Sequence, residues 1–362
     1  MGKRDPVEAR SDGTRDLYDI ATWEPRTALD RLAIRLYRGV IATVRGIVIL
    51  LGIVILLSQF ILGSIGATFA EDPYAIGLVV LSVIPALGLV AYVYLTDITS
   101  SEPLDLLVVT FVFGVVFAGF AAIVNTLLGS VLRAIPLVGI VLFFYLVVGP
   151  AEETVKLLAV RLHAYRDDRF DSVIDGTVYG AVAGLGFATI ENALYITRGL
   201  NGSGQVVELA GGLAVLSGGA LAAGGIERIL GNIIGAGGQI TALRALAGPG
   251  HVIYSAFAGY YLGLAKFNQE RAGPIVVKGL VIAAFIHATY NTLVGIIPGV
   301  AAALTGSSQL VMFFAFVIVY DGVFAYILFR KLSRYRAAFT AVTAERNRDE
   351  SAFTPERTEF EE

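Results

Sequence analysis

Apolar residues along this chain gather into runs long enough to cross a bilayer, separated by short polar or glycine-bearing connections. A crossing helix needs about 20 apolar residues, and that rule predicts spans over about 47–67, 74–95, 104–129, 173–196, 249–264, 275–297 and 309–329. A further span is expected where the apolar run 137–148 meets Gly149-Pro150 and continues as AEETVKLLAV. Proline fits the first turn of a helix but not its interior, so this fourth span in chain order is expected to be broken or kinked. The pattern thus predicts an all-α polytopic transmembrane helical bundle of about eight spans. Before it, residues 1–37 form a polar tail that passes through the amphipathic stretch RTALDRLAIRLYRGV, expected to lie at the interface. The transmembrane domain covers 38–331, and a charged tail follows over 332–362. Between spans five and six, the glycine-rich stretch 201–248 holds Glu208 and is expected to be interfacial or re-entrant.

Charge placement gives the topology. Lys and Arg concentrate before the first span and in RLHAYRDDR, KFNQER and RKLSRYR, whereas the connections after Ala67 and Ile297 carry almost none. The positive-inside rule then places both termini in the cytoplasm. An extra crossing in the glycine-rich stretch would put KFNQER and RKLSRYR outside, which is the reason for counting eight. Composition agrees: 56% apolar residues, 16% charged residues and a mean hydropathy of +0.73 describe an integral membrane protein, not a soluble core. The absence of cysteine excludes disulfides, thiolate metal sites and a cysteine nucleophile. A net charge of −3 gives no indication of a nucleic-acid partner.

Against this apolar background a few charged and polar residues stand out. A charge deep in a membrane helix costs about 2.5 to 3.5 kcal/mol on the insertion scale, so such residues mark function. Glu152, Glu153 and Lys156 fall within one and a half turns, with Glu152 and Lys156 at i and i+4 and Glu153 about 100° away. Glu152 is therefore expected to pair with Lys156, leaving Glu153 free. Glu191 lies in span five, one turn from Phe187 and one from Tyr195. Of the three histidines, His163 sits in a loop, while His251 opens span six and His287 lies near the middle of span seven, one turn before Asn291. Asparagine there is expected to orient the imidazole. Carboxylates and imidazoles are ligand types that zinc accepts, although the spacing is not that of HExxH. The same groups without a metal could activate water and hold an oxyanion. Asp321 in span eight lies outside this set and is expected to bond to a neighbouring helix. On span five, Gly176, Gly180, Gly184 and Ala188 recur every fourth residue and form a smooth stripe for close helix packing. No GxSxG elbow and no P-loop are present.

Four motifs occur in order: Glu152-Glu153-Thr154-Val155-Lys156 (E-E-x-x-K), Phe187 to Glu191 (F-x-x-x-E), His251 after Pro249-Gly250, and His287 to Asn291. Together they resemble the PrsW family of intramembrane proteases, related to the CAAX prenyl endopeptidase and bacteriocin-processing membrane peptidases. The resemblance covers about residues 149–291, and the last motif, commonly H-x-x-x-D, ends here in Asn291, which can orient a histidine but not take a proton. It implies an all-helical membrane peptidase whose glutamates and histidines activate water, of a family described as metal-dependent with relatives that look like glutamate-type enzymes. On that basis Glu153 is expected to be the general base and Glu152 to be held by Lys156. Glu191, His251 and His287 would bind a divalent metal, zinc among the candidates, or stabilise the tetrahedral intermediate. The implied partners are the lipid bilayer and a membrane-protein substrate. Two other readings of the buried Glu/His cluster are a proton- or cation-coupled transporter and an inactive peptidase-fold protein that binds a membrane partner.

Overall fold

A computed structural model describes Asp16 and residues 25–61, 63–98, 102–201 and 237–352, and all regular structure among them is helical. In chain order the helices are α1 (Ala28–Ile61), α2 (Ser64–Glu71), α3 (Tyr74–Leu95), α4 (Leu104–Arg133), α5 (Gly139–Phe143), α6 (Gly149–Leu162), α7 (Val173–Leu200), α8 (Gly238–Lys266), α9 (Ala272–Val294), α10 (Ile297–Thr305) and α11 (Gln309–Ala352). The chain forms two compact units, Met1–Val54 and Ile55–Glu362, and every site residue discussed below belongs to the second.

Among the described residues, six helical segments are long and apolar enough to cross a membrane: 42–61, 74–95, 104–133, 173–200, 269–305 and 309–341. The expected number was about eight, and the difference lies in α6 and α8. Both are helical, but their buried Glu152, Glu153, Lys156, Arg244 and His251 lower their apolar character. Boundaries also differ from expectation. The first span ends at Ile61, and residues 64–71 form a separate short helix. The sixth begins at Gly238, so Pro249 is interior to α8 rather than its start. Of the stretch expected to be interfacial or re-entrant, 202–236 lies outside the described residues and 238–248 is the first three turns of α8.

Gly149-Pro150 does not break the chain. A π-helical turn over Phe144–Val148 joins α5 to α6, and the Gly149 N–H reaches the Phe144 carbonyl. One widened turn accommodates a proline that has no N–H and whose ring would clash with the preceding turn. A side chain at Gly149 would come within 2.6 Å of the Ala284 carbonyl, so glycine lets α6 close on α9. The glycine stripe of α7 works the same way against α8. Added Cβ atoms at Gly176, Gly180 and Gly184 would lie 2.3, 2.4 and 2.5 Å from the carbonyls of Gly259, Ser255 and His251. The pairing runs antiparallel, since rising numbers on α7 meet falling numbers on α8. Backbone contact of this kind brings Glu191 and His251 onto facing turns.

Candidate active site

Four helices supply the cluster. Glu152, Glu153 and Lys156 come from the first turns of α6, Glu191 from α7, Arg244, His251 and Ser255 from α8, and His287 from α9. Its centre is Glu153, whose exposure is 0%. Glu153 Oε1 accepts from Lys156 Nζ at 2.7 Å and from His287 Nδ1 at 2.8 Å, and Oε2 accepts from Ser255 Oγ at 3.3 Å. Lys156 Nζ also meets His251 Nδ1 at 3.0 Å and stands 4.4 Å from the centre of the Phe187 ring. An ammonium can only donate, so His251 Nδ1 accepts and Nε2 carries the proton. His251 Nε2 faces Glu191 Oε2 at 2.7 Å. The same oxygen pairs with Arg244 Nη2, while Arg244 Nε donates to Asn192 Oδ1 at 2.7 Å and the guanidinium lies 4.5 Å over Tyr195. The two aromatic residues flanking Glu191 thus each support one of the two buried cations.

Glu153 accepts from His287 Nδ1–H, so in the neutral ring the lone pair is on Nε2. That nitrogen lies 3.8 Å from Glu152 Oε2. Glu152 Oε1 accepts from Asn125 Nδ2 of α4 at 3.0 Å, whereas Oε2 is buried and meets no hydrogen-bond partner. Lys156 therefore pairs with Glu153, not with Glu152 as helix spacing suggested. Positions i+3 and i+4 are both within reach on a helix, and α8 and α9 decide between them by placing His251, Ser255 and His287 on the Glu153 side. Nor does the Asn291 amide donate a hydrogen bond to His287. It is buried one turn away with Nδ2 unpartnered, and Glu153 holds the imidazole instead.

Donor atoms of Glu152, His251 and His287 lie within 4.8 Å of one another. Two imidazoles and the Glu152 carboxylate, with its unpartnered Oε2, fit a divalent ion of the zinc type. Glu191, expected in that set, is engaged by Arg244 and His251. His251 has both ring nitrogens occupied, so it joins an ion only by releasing Lys156 or Glu191.

Glu152, Glu153, Lys156, Glu191, His251 and His287, dispersed over more than 130 residues of sequence, meet in this one buried cluster. Asp321 stands apart from it, accepting from the Tyr254 hydroxyl at 2.8 Å, and Tyr254 in turn packs 5.4 Å from His287 between ring centres. Sequence reasoning missed Arg244, Asn125 and Ser255. Arg244 had a readable signal: it lies seven residues before His251, on the same helical face of an apolar segment.

An all-helical membrane protein that buries carboxylates, imidazoles and a candidate metal set in one cluster has the equipment of a membrane peptidase that activates water. Residues 102–320 match the model of a family described as PrsW family intramembrane metalloprotease. The chain belongs to that family and is a membrane protease. It is 28% identical over 212 residues to Protease PrsW of Geobacillus kaustophilus, covering 58% of this chain and 76% of that one. Protease PrsW of Bacillus subtilis is 28% identical over 211 residues, 57% of this chain and 78% of the relative. The Clostridioides difficile Protease PrsW is 25% identical over 221 residues, 59% and 77% of the two chains. No solved structure matches significantly. The transporter reading finds no support.

Proposed function

We propose that this protease hydrolyses a peptide bond of a membrane-associated protein, with Glu152 and His287 as the groups that face the attacking water. The observation that carries this reading is the unpartnered Glu152 Oε2 lying 3.8 Å from His287 Nε2, while Glu153 has a donor on each oxygen. Glu153, the expected base, is therefore assigned to holding His287 in its Nδ1–H form and anchoring Lys156. An imidazole fixed in this way by a carboxylate is also a competent ligand. An ion held by Glu152, His251 and His287, zinc in this proposal, would supply Lewis-acid polarisation of the scissile carbonyl and a water of lowered pKa. Glu191 positions His251 through the Nε2 contact, and Arg244 fixes Glu191 from the other side. Asn291, whose amide donates no hydrogen bond to His287, is assigned no proton transfer.

Both termini are assigned to the cytoplasm. The basic connection 163–172 supports this, because Arg169 Nη2 pairs with Asp105 at the start of α4 at 2.9 Å, and Lys266 Nζ at the end of α8 donates to the Tyr165 and Asp167 carbonyls. Two arginine- or lysine-bearing segments, the 163–172 connection and the end of α8, thus gather on one face with the start of α4, in keeping with the positive-inside rule for the cytoplasmic side. The test is co-reconstitution of purified protein in liposomes with single-span membrane proteins. Cleavage lost on chelation, restored by Zn2+ and absent from His287→Ala is expected; cleavage that survives in His287→Ala overturns the assignment.

A further inference from the structure

A second buried acidic group lies away from the active-site residues, where the α3–α4 connection meets the start of α7. Carboxylate oxygens of Asp97, Glu102 and Asp175 lie within 4.8 Å of one another. Asp175 is fixed as the third residue of a capping box: Oδ2 accepts from the Asp171 and Ser172 N–H groups at 2.7 and 3.1 Å, and Ser172 Oγ bonds Oδ1. Its rotamer is therefore set before any ligand arrives.

Glu102 points to a ligand. It is only 4% exposed, its oxygens converge with those of Asp97 and Asp175, and neither oxygen has a hydrogen-bond partner. A buried polar atom left unpaired costs about 1 to 3 kcal/mol, more when charged. One turn after Asp175, on the same face of α7, Tyr179 is fully buried with its hydroxyl also unpartnered. Of the cations nearby, Arg169 pairs with Asp105 and Asp167, and Lys266, whose charge also faces Asp175, gives its hydrogen bonds to the Tyr165 and Asp167 carbonyls.

We propose that Asp97, Glu102 and Asp175 form a site for a hard divalent cation, Ca2+ or Mg2+. The donor set is all oxygen, which suits these ions and sets the site apart from the imidazole-bearing cluster. A cation here ties the α3–α4 connection to the first turn of α7, the helix that carries Glu191.

The test uses full-length protein purified in detergent and stripped with EDTA and EGTA. Binding of Ca2+ and of Mg2+ is measured by equilibrium dialysis and by the shift in Tm, for wild type, Glu102→Gln, Asp97→Asn and His287→Ala. We expect one saturable cation per chain in wild type and in His287→Ala, with affinity weakened roughly tenfold or more in Glu102→Gln and Asp97→Asn. No saturable binding of either cation to wild type up to about 10 mM, weaker than extracellular calcium modules, overturns the proposal and leaves the cluster holding a proton. Equal affinity in wild type and Glu102→Gln also overturns it. If Glu102→Gln does not purify as a monodisperse protein, Asp97→Asn at the connection decides by the same criterion.

Discussion

Replacing Glu152 and Glu153 separately by glutamine separates two roles that the adjacent positions conceal. In Glu152→Gln the side chain keeps an oxygen for Asn125 and loses a buried charge whose Oε2 has no partner. Folding stability should therefore hold or rise, because removing an unsatisfied buried charge removes its desolvation cost. Catalysis should fall by roughly 10²- to 10⁴-fold, the usual contribution of a general base, which is about 3 to 5 kcal/mol of barrier. Glu153→Gln is different. It removes the counter-charge of Lys156 and leaves only a neutral amide oxygen to accept from His287, both groups being fully enclosed. Leaving one member of a buried pair uncompensated costs about 3 to 5 kcal/mol, so Tm should drop by several degrees along with activity. The assay pairs cleavage of a co-reconstituted membrane-protein substrate with thermal melting in detergent. If Glu152→Gln keeps more than about a tenth of the wild-type rate, against the base contribution expected, or melts as low as Glu153→Gln, the division of roles is wrong.

Gly184→Val should misplace α8, since even its first carbon would lie 2.5 Å from the His251 carbonyl. Overpacking of this kind costs about 1 to 3 kcal/mol or more, and both Tm and cleavage should fall, whereas Gly77→Ala on α3, with open space around it, should change neither. Arg244→Gln should lower kcat while Arg244→Lys restores only part of it, because lysine cannot bridge Glu191 and Asn192 at once. In the basic connection, the Arg169 hydrogen bond holds the Asp167 carboxyl well below the usual carboxylate range. A depressed folded value stabilises above the ordinary pKa and is lost as pH falls through the folded one, so the advantage of wild type over Arg169→Gln should be full at pH 6 and shrink below about pH 4. At this exposed surface the effect is small, and it is read from Tm against pH.

Periodicity and hydropathy made the helices legible, because a membrane span must satisfy its own backbone and so announces itself by length. The glycine stripe of α7 was legible for a similar reason: a four-residue spacing of small side chains has one geometric use, and its partner proved to be α8. The same reasoning also located Glu152, Glu153, Glu191, His251 and His287, since charge is costly in such surroundings. What helix spacing could not supply was the choice of partner. Glu152 and Glu153 are equivalent to Lys156 within one helix, and only the approach of α8 and α9 separates them. Arg244 was hidden because the glycine-rich composition before it masked the helix that carries it. Asn291 shows the opposite failure, a plausible i+4 hydrogen bond from an amide nitrogen that the fold leaves unpartnered.

The balance of charge explains why the cluster is reactive where it is. Three carboxylates, Glu152, Glu153 and Glu191, face two fixed cations, Lys156 and Arg244. Lys156 is spent on Glu153 and His251, and Arg244 on Glu191 and Asn192. The uncompensated negative charge thus falls on Glu152, the residue with the free oxygen. In a low-dielectric interior such a deficit must be met by a proton or a cation. A peptidase needs both at one point in its cycle, a proton taken from water and positive charge for the oxyanion. By saturating Glu153 and Glu191, the fold directs both demands to Glu152 and the His287 nitrogen beside it. Lys156→Met should move this focus: with Glu153 and His251 released, the deficit spreads over two carboxylates and a histidine nitrogen is freed. Zn2+ should then bind more tightly than to wild type while cleavage falls, and unchanged affinity in equilibrium dialysis would show that Lys156 does not compete for His251.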